Sequence, residues 1–457
     1  MTSATHRTAE EIGRTPHGPR EVPPLGDQGV AADLSHVDTV LGNGLRVLAV
    51  RKANVPLVEL RLSIPFAGSD PMHPATAEVL AETLLTGTAR RDRVAIDTEL
   101  ALIGGELGTV VDPERLAISG SSLAEGLPTL LDVLADILTS ASYADTEVRR
   151  EAERIGERLA VARTQPRVIA REALQRRRYG DHPYTREMPQ AEDVAVVEAA
   201  GVRELHAGAV LPRGATMVIV GDVDPQSVIG DIEKALRDWA SESSASVLPP
   251  LPEVEGGALL LVPRAGAVQS QIRLSGQALP RTDPRYPALQ LANLTFGGYF
   301  SSRLVENIRE DKGYTYGAHS GFEFTGNTAT VQVDADTASE VTVPALLETR
   351  YELGRLGLVP PSESDVESVR QYAIGSLLIA TSSQHGLANQ LSALASVGLG
   401  ADWLAAHPAR LAEVTTEEVA EAALDFFAPT RFTGVVVGDA ASLSRKLAAL
   451  GDVVVEE

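Results

Sequence analysis

Apolar and polar positions change period several times along this chain. Residues 1–36 are polar and rich in Pro, Gly and Thr, and read as a flexible tail. Residues 37–41 and 45–50 are short apolar runs joined by Gly42-Asn43-Gly44. An Asn-Gly pair between such runs predicts a hairpin, because both residues accept the positive φ of a tight turn. Residues 57–66 predict another strand, and residues 329–334 alternate strictly, as a half-buried strand does. Helical spacing governs residues 75–85, 127–138 and 145–162.

One apolar segment has an echo. Met217-Val218-Ile219-Val220-Gly221-Asp222 and Thr433-Gly434-Val435-Val436-Val437-Gly438-Asp439 are both short apolar runs that end in Gly-Asp. Each follows a helical stretch and an apolar-Pro step, Leu211-Pro212 or Ala428-Pro429, and each leads into another helix. Val218 and Val435 lie 217 positions apart (435 minus 218), which predicts two related halves. Ser241-Glu242-Ser243-Ser244 through Gly256-Gly257 reads as the linker. The expected division is therefore 1–36 tail, 37–240 first domain, 241–257 linker and 258–457 second domain.

At 457 residues, with 44% hydrophobic and 22% charged residues, the composition is that of a globular chain of more than one domain. A net charge of −22 argues against nucleic acid, whose phosphates need a basic surface. The run Gln175-Arg176-Arg177-Arg178 is too short to alter this and reads as the solvated face of a helix. There are no cysteines, which excludes disulfides and thiol nucleophiles. No 18-residue apolar run predicts a membrane span and no apolar leader opens the chain, so the expected location is cytoplasmic.

Several segments resemble the pitrilysin/insulinase-type zinc peptidases with an inverted zinc motif, specifically their short, processing-peptidase-like members. They are Asn43-Gly44-Leu45-Arg46-Val47, residues 77–88 ending in Gly87-Thr88, His182-Pro183-Tyr184, Val220-Gly221-Asp222-Val223 and residues 300–316. The resemblance implies an α+β fold of two homologous halves, each a mainly antiparallel sheet with helices packed on one side, forming half of a clamshell chamber. Catalytic members of that family carry His-x-x-Glu-His on a helix. Histidines at i and i+4 share one face and reach zinc, while the glutamate acts as general base on the metal-bound water. Aligned on Gly87-Thr88, this chain has Glu78 and Glu82 at the histidine positions and Ala81 at the base position. The third ligand position falls near Glu157. Carboxylates lack the imidazoles that suit zinc, and alanine takes no proton. Glu78 and Glu82 then read as an acidic pair on an exposed helix face, and His73, just before Pro74, as a residue ahead of the helix. The resemblance implies a non-catalytic subunit with no metal of its own.

The same resemblance implies a substrate-gripping role for Arg309 and Tyr316, seven positions apart in Arg309-Glu310-Asp311-Lys312-Gly313-Tyr314-Thr315-Tyr316. A guanidinium and a phenol are donors that can hold the carbonyl next to a scissile bond. Gly297 and Gly298 would allow close backbone approach before a helix carrying Ser301, Ser302 and Arg303. The leading expectation is a substrate-binding subunit of a heterodimeric zinc metalloendopeptidase. A homologous partner would bear the zinc, and a peptide would be the substrate. The alternatives are a scaffold or peptide-binding protein with no peptidase role, and an enzyme with an atypical metal site on Glu78, Glu82, Glu157 and His73.

Overall fold

The structure is a computed structural model, and it describes residues 34–326 and 328–456. The predicted tail therefore lies almost wholly outside the described residues. Twelve strands among those described form two six-stranded sheets. The first holds β1 (His36–Val40), β2 (Arg46–Arg51), β3 (Leu57–Pro65), β4 (Glu106–Val111), β5 (Arg115–Leu123) and β6 (Thr216–Gly221). The second holds β7 (Leu259–Pro263), β8 (Gln269–Ala278), β9 (Thr315–Thr325), β10 (Thr328–Ala338), β11 (Phe432–Gly438) and β12 (Val453–Val455).

The strand orders are β1-β2-β6-β3-β5-β4 and β12-β7-β11-β8-β10-β9. Five strands of each sheet follow one another in the same arrangement, so the halves repeat as the Gly-Asp echo predicted. The echoed segments are β6 and β11, and each sits between a parallel and an antiparallel neighbour. The predicted hairpin is present, with β1 antiparallel to β2 around Gly44 at φ +88°. β12 departs from the repeat by joining β7 in parallel.

The helices of the first half are α1 (His73–Thr83), α2 (Arg93–Leu102), α3 (Leu127–Ser140), α4 (Asp145–Ala162), α5 (Pro166–Tyr179), α6 (Ala191–Ala195), α7 (Ala199–Ala209) and α8 (Pro225–Ala235). Those of the second are α9 (Tyr286–Asn293), α10 (Arg303–Val305), α11 (Thr342–Leu358), α12 (Glu363–Ala380), α13 (Gln384–Ala395), α14 (Ala401–Glu413), α15 (Thr416–Phe426) and α16 (Ala440–Leu447). Most pack on one face of their own sheet and bury its alternate positions, such as Val58, Leu60, Leu62 and Ile64 of β3.

Two helices cross over. Leu387, Leu391 and Leu394 of α13 cover Leu48, Val50, Val218 and Val220 on the second face of the first sheet. Reciprocally, Ala170, Ala173 and Leu174 of α5 cover Val262, Val435 and Val437 of the second sheet. Helices thus lie on both faces of each sheet, one face being served by the opposite half. The physical reason is that β2, β6, β7 and β11 are apolar at consecutive positions and have two faces to bury.

This crossing corrects the reading of the 175–178 run as solvated. Gln175 and Arg178 are buried, and Arg177 donates to Thr433 Oγ1 at 3.1 Å and to the Ala258 carbonyl at 2.7 Å. Residues 236–258 contain no helix or strand, and Val254 within them is buried, its N–H donating to Gln277 Oε1 at 2.9 Å.

Candidate functional site

Helix α1 forms because Pro74 occupies its first turn, where a missing N–H costs nothing, and an Ala/Val/Leu run follows. It buries Ala75, Ala77, Val79, Leu80, Ala81 and Thr83. His73 belongs to the first turn of this helix, not to the chain ahead of it. A ring nitrogen lies 2.8 Å from the Phe66 carbonyl, and burial holds the imidazole below its usual pKa. His73 therefore ties the helix to the end of β3. Ala81 packs in the core, and its carbonyl accepts from Thr109 Oγ1 of β4 at 2.6 Å.

Glu78 and Glu82, one turn apart, point at α4 and not at open solvent. Arg158 donates to Glu78 at 2.5 Å and to Glu82 at 2.8 Å. Arg154 donates to Glu82 at 2.6 Å and to the buried Glu151 at 2.5 Å. The acidic pair is thus half-buried and ion-paired. Burial pushes the Glu78 carboxyl up, and Arg158 offsets only part of that push.

Glu157 takes no part. It is exposed and, with Glu153, Arg149 and Arg203, lines a separate cleft between α4 and α7. One residue along a helix is about 100° of rotation, so the chain aims Arg158, and not Glu157, at Glu78 and Glu82.

These residues do not fit a zinc ion. No imidazole faces the site, and a guanidinium already sits between the carboxylates. Two unit charges of like sign 4 Å apart repel by about 4 kcal/mol near a protein surface, and a divalent ion doubles that.

Arg309 and Tyr316 lie on either side of a turn at Gly313, whose φ is +62°. The Tyr314 N–H closes that turn on the Ile308 carbonyl at 2.8 Å. Two wide π-helical turns, Leu294–Gly298 and Glu306–Asp311, flank the Phe300–Ser302 loop and α10, a conformation often found where function is placed. Arg309 stands on the second, its guanidinium 4.7 Å from the centre of the Phe300 ring and 3.6 Å from Glu310. Tyr316 is the second residue of β9 and is 97% exposed. β9 is the edge of its sheet, as β4 is of the first, and neither has a partner on its outer side among the described residues.

Gly297 and Gly298 stand where the chain approaches its neighbours closely. A Cβ on Gly297 would stand 2.8 Å from Ser320 Cβ of β9, and one on Gly298 would stand 2.9 Å from Asn293 Nδ2. Gly297 lets the turn press against β9, and Gly298 lets it close on Asn293 at the end of α9. The expected helix starts at Arg303; Ser301 precedes it, and Ser302 is buried at its cap. Sequence reasoning missed Arg154 and Arg158. Their i, i+4 spacing, matching that of Glu78 and Glu82, was the available signal.

Comparison with known proteins bears on the same segments. The model of the insulinase (peptidase M16) family matches residues 46–192, and that of the peptidase M16 inactive domain matches residues 197–372. An uncharacterized zinc protease of Mycobacterium tuberculosis is 24% identical over 313 residues, 67% of this chain and 71% of that protein. The crystal structure of a peptidase M16 inactive domain from Pseudomonas fluorescens superimposes with a TM-score of 0.80 at 20% identity, covering 88% of this chain and 98% of that one. The periplasmic protease PqqL of Escherichia coli matches with a TM-score of 0.75 at 18% identity, over 90% of this chain but 46% of its own. With repeated halves and family matches on either side of residue 195, the chain belongs to the insulinase-type family of M16 peptidases.

Proposed function

We propose that this chain is the non-catalytic, substrate-binding subunit of a heterodimeric zinc metalloendopeptidase. The observation that carries the reading is a contrast within one molecule. The helix that should hold metal is closed by Arg154 and Arg158, whereas Tyr316, across the Gly313 turn from Arg309, is exposed and its side chain has no hydrogen-bond partner among the described residues. A homologous partner supplies the zinc and the general base. Arg309 and Tyr316 reach into the partner's site and hold the peptide carbonyl as charge develops on its oxygen. The peptide or unfolded segment is held as an added strand on an exposed sheet edge, a mode that reads backbone more than side chains. That this fold matches only 46% of the larger PqqL chain supports its acting as one half of a chamber.

The test is a tagged pull-down followed by reconstitution. A co-purifying chain of similar length bearing His-x-x-Glu-His, with chelator-sensitive peptide cleavage only in the mixture, is the expected result. Cleavage by the isolated chain, or a pull-down that yields no chain bearing His-x-x-Glu-His, would refute it.

A further inference from the structure

The cleft between α5 and the polar face of the second sheet is basic, in a chain whose net charge is −22. It encloses about 480 Å³, and its walls hold Arg167, Arg171, Arg178 and Arg273 against Glu323 and Asp334. Arg178 is 7% exposed. It donates to Glu323 and to Thr330 Oγ1, yet its Nε is buried with no acceptor. Arg273 is saturated by Gln271 and Asp336 at 2.8 Å each and lies 3.2 Å from Asp334. Arg171 pairs with Glu187 at the rim, and Arg167 pairs with no carboxylate among the described residues. Burial pushes the Asp334 carboxyl up, against the pull of Arg273.

The first half provides an internal control. Arg61 stands opposite Val218, as Arg273 stands opposite Val435. Two positions before Arg61 is Glu59, which pairs with it at 2.8 Å, and the corresponding residue before Arg273 is the neutral Gln271. The second and sixth residues of α13 are His385 and Asn389, which face Arg61 at 2.9 and 2.7 Å. The second and sixth residues of α5 are Arg167 and Arg171. The fold is thus compatible with a closed, neutral cluster at this position, and the second half has an open, basic one instead.

We propose that this cleft receives an acidic side chain of the bound peptide, so that the subunit prefers segments carrying Asp or Glu. The inference rests on the reading of the chain as a peptide-holding subunit and names its substrate class. Arginine offers a planar fork that matches a carboxylate. The acidic surface elsewhere does not oppose this at short range, because charges are screened over about 8 Å at physiological ionic strength.

The experiment is fluorescence anisotropy of the full-length chain with two labelled ten-residue peptides. One carries Glu at alternate positions and its twin carries Gln at the same positions. The Glu peptide is expected to bind about tenfold more tightly at physiological salt. The double variant R167Q/R171Q, changed at two exposed positions, should reduce that preference below about threefold and leave the Gln peptide unaffected. Equal binding of both peptides to the wild type, or a preference retained by the variant, overturns the proposal and leaves the peptide-holding reading intact. If neither peptide binds, both fall together.

Discussion

The Arg158 guanidinium donates to Glu78 at 2.5 Å, across a sequence separation of 80 residues. This pair joins α4 to α1. Replacing Arg158 by Met should destabilise the protein by about 1–3 kcal/mol, because two neighbouring carboxylates lose a shared donor. Urea unfolding would show the loss, and adding Glu78→Gln and Glu82→Gln should recover most of it. The same geometry predicts that Glu78→His, Ala81→Glu and Glu82→His together fail to restore tight zinc binding while Arg158 remains. Adding Arg158→Glu should raise zinc affinity at least about tenfold, the scale of a supporting group around a metal. Equal affinity with and without that fourth change would show that Arg158 is not the obstacle.

Arg309→Ala and Tyr316→Phe should each lower turnover of the reconstituted pair by about 10- to 1,000-fold, the scale of a lost oxyanion donor. Neither should shift the unfolding midpoint of the isolated chain by more than a degree or two, since Tyr316 makes no buried contact. Steady-state assays of the mixed subunits would decide, and unchanged rates in both variants would remove the assigned role.

Gly297→Ala should cost about 1–3 kcal/mol in folding stability, because its new methyl meets Ser320 of β9 at 2.8 Å. A neutral substitution, measured by thermal unfolding, would mean that the turn moves freely against the strand.

His407 predicts an acid-sensitive step. It is 4% exposed and stacked on Trp403 with ring centroids 4.4 Å apart. Burial, with Arg410 and Arg281 nearby, lowers its pKa to about 4 from 6.5. The folded state holds the ring neutral, so this contribution is complete above pH 6.5 and is lost as pH falls towards 4. At 1.36 kcal/mol per pKa unit, the loss reaches about 3 kcal/mol. Urea unfolding at several pH values should show this slope in the wild type and a shallower one in His407→Gln. Parallel slopes would show that the titration lies elsewhere.

What the chain disclosed beforehand was mostly local. Asn43-Gly44 predicted the β1–β2 hairpin because that turn's chemistry is contained in two residues. The Gly-Asp echo predicted β6 and β11 because both strands are buried on both faces and must be apolar throughout. Helix α1 was legible as a helix without zinc-binding imidazoles but not as a partner in ion pairs. Arg154 and Arg158 meet Glu78 and Glu82 only after α4 has folded back on α1, and no period in the sequence reports such a meeting. The burial of Arg178 was hidden for the same reason: its partners Glu323 and Thr330 lie 145 and 152 residues away. Glu157 and Arg158 are adjacent in sequence, and one step along a helix is enough to make them face different directions.

The exchange of α5 and α13 has a consequence for biosynthesis. When β6 leaves the ribosome, the face of the first sheet bearing Leu48, Val50, Val218 and Val220 is still bare. Its cover begins at Gln384, 163 residues after Gly221 (384 minus 221). At about 5–20 residues per second the nascent chain carries that apolar face uncovered for roughly 8–30 s. A chaperone that shields β-sheet surface has its opportunity in this interval. A ribosome stalled between the two halves would release a product that cannot complete its own interior.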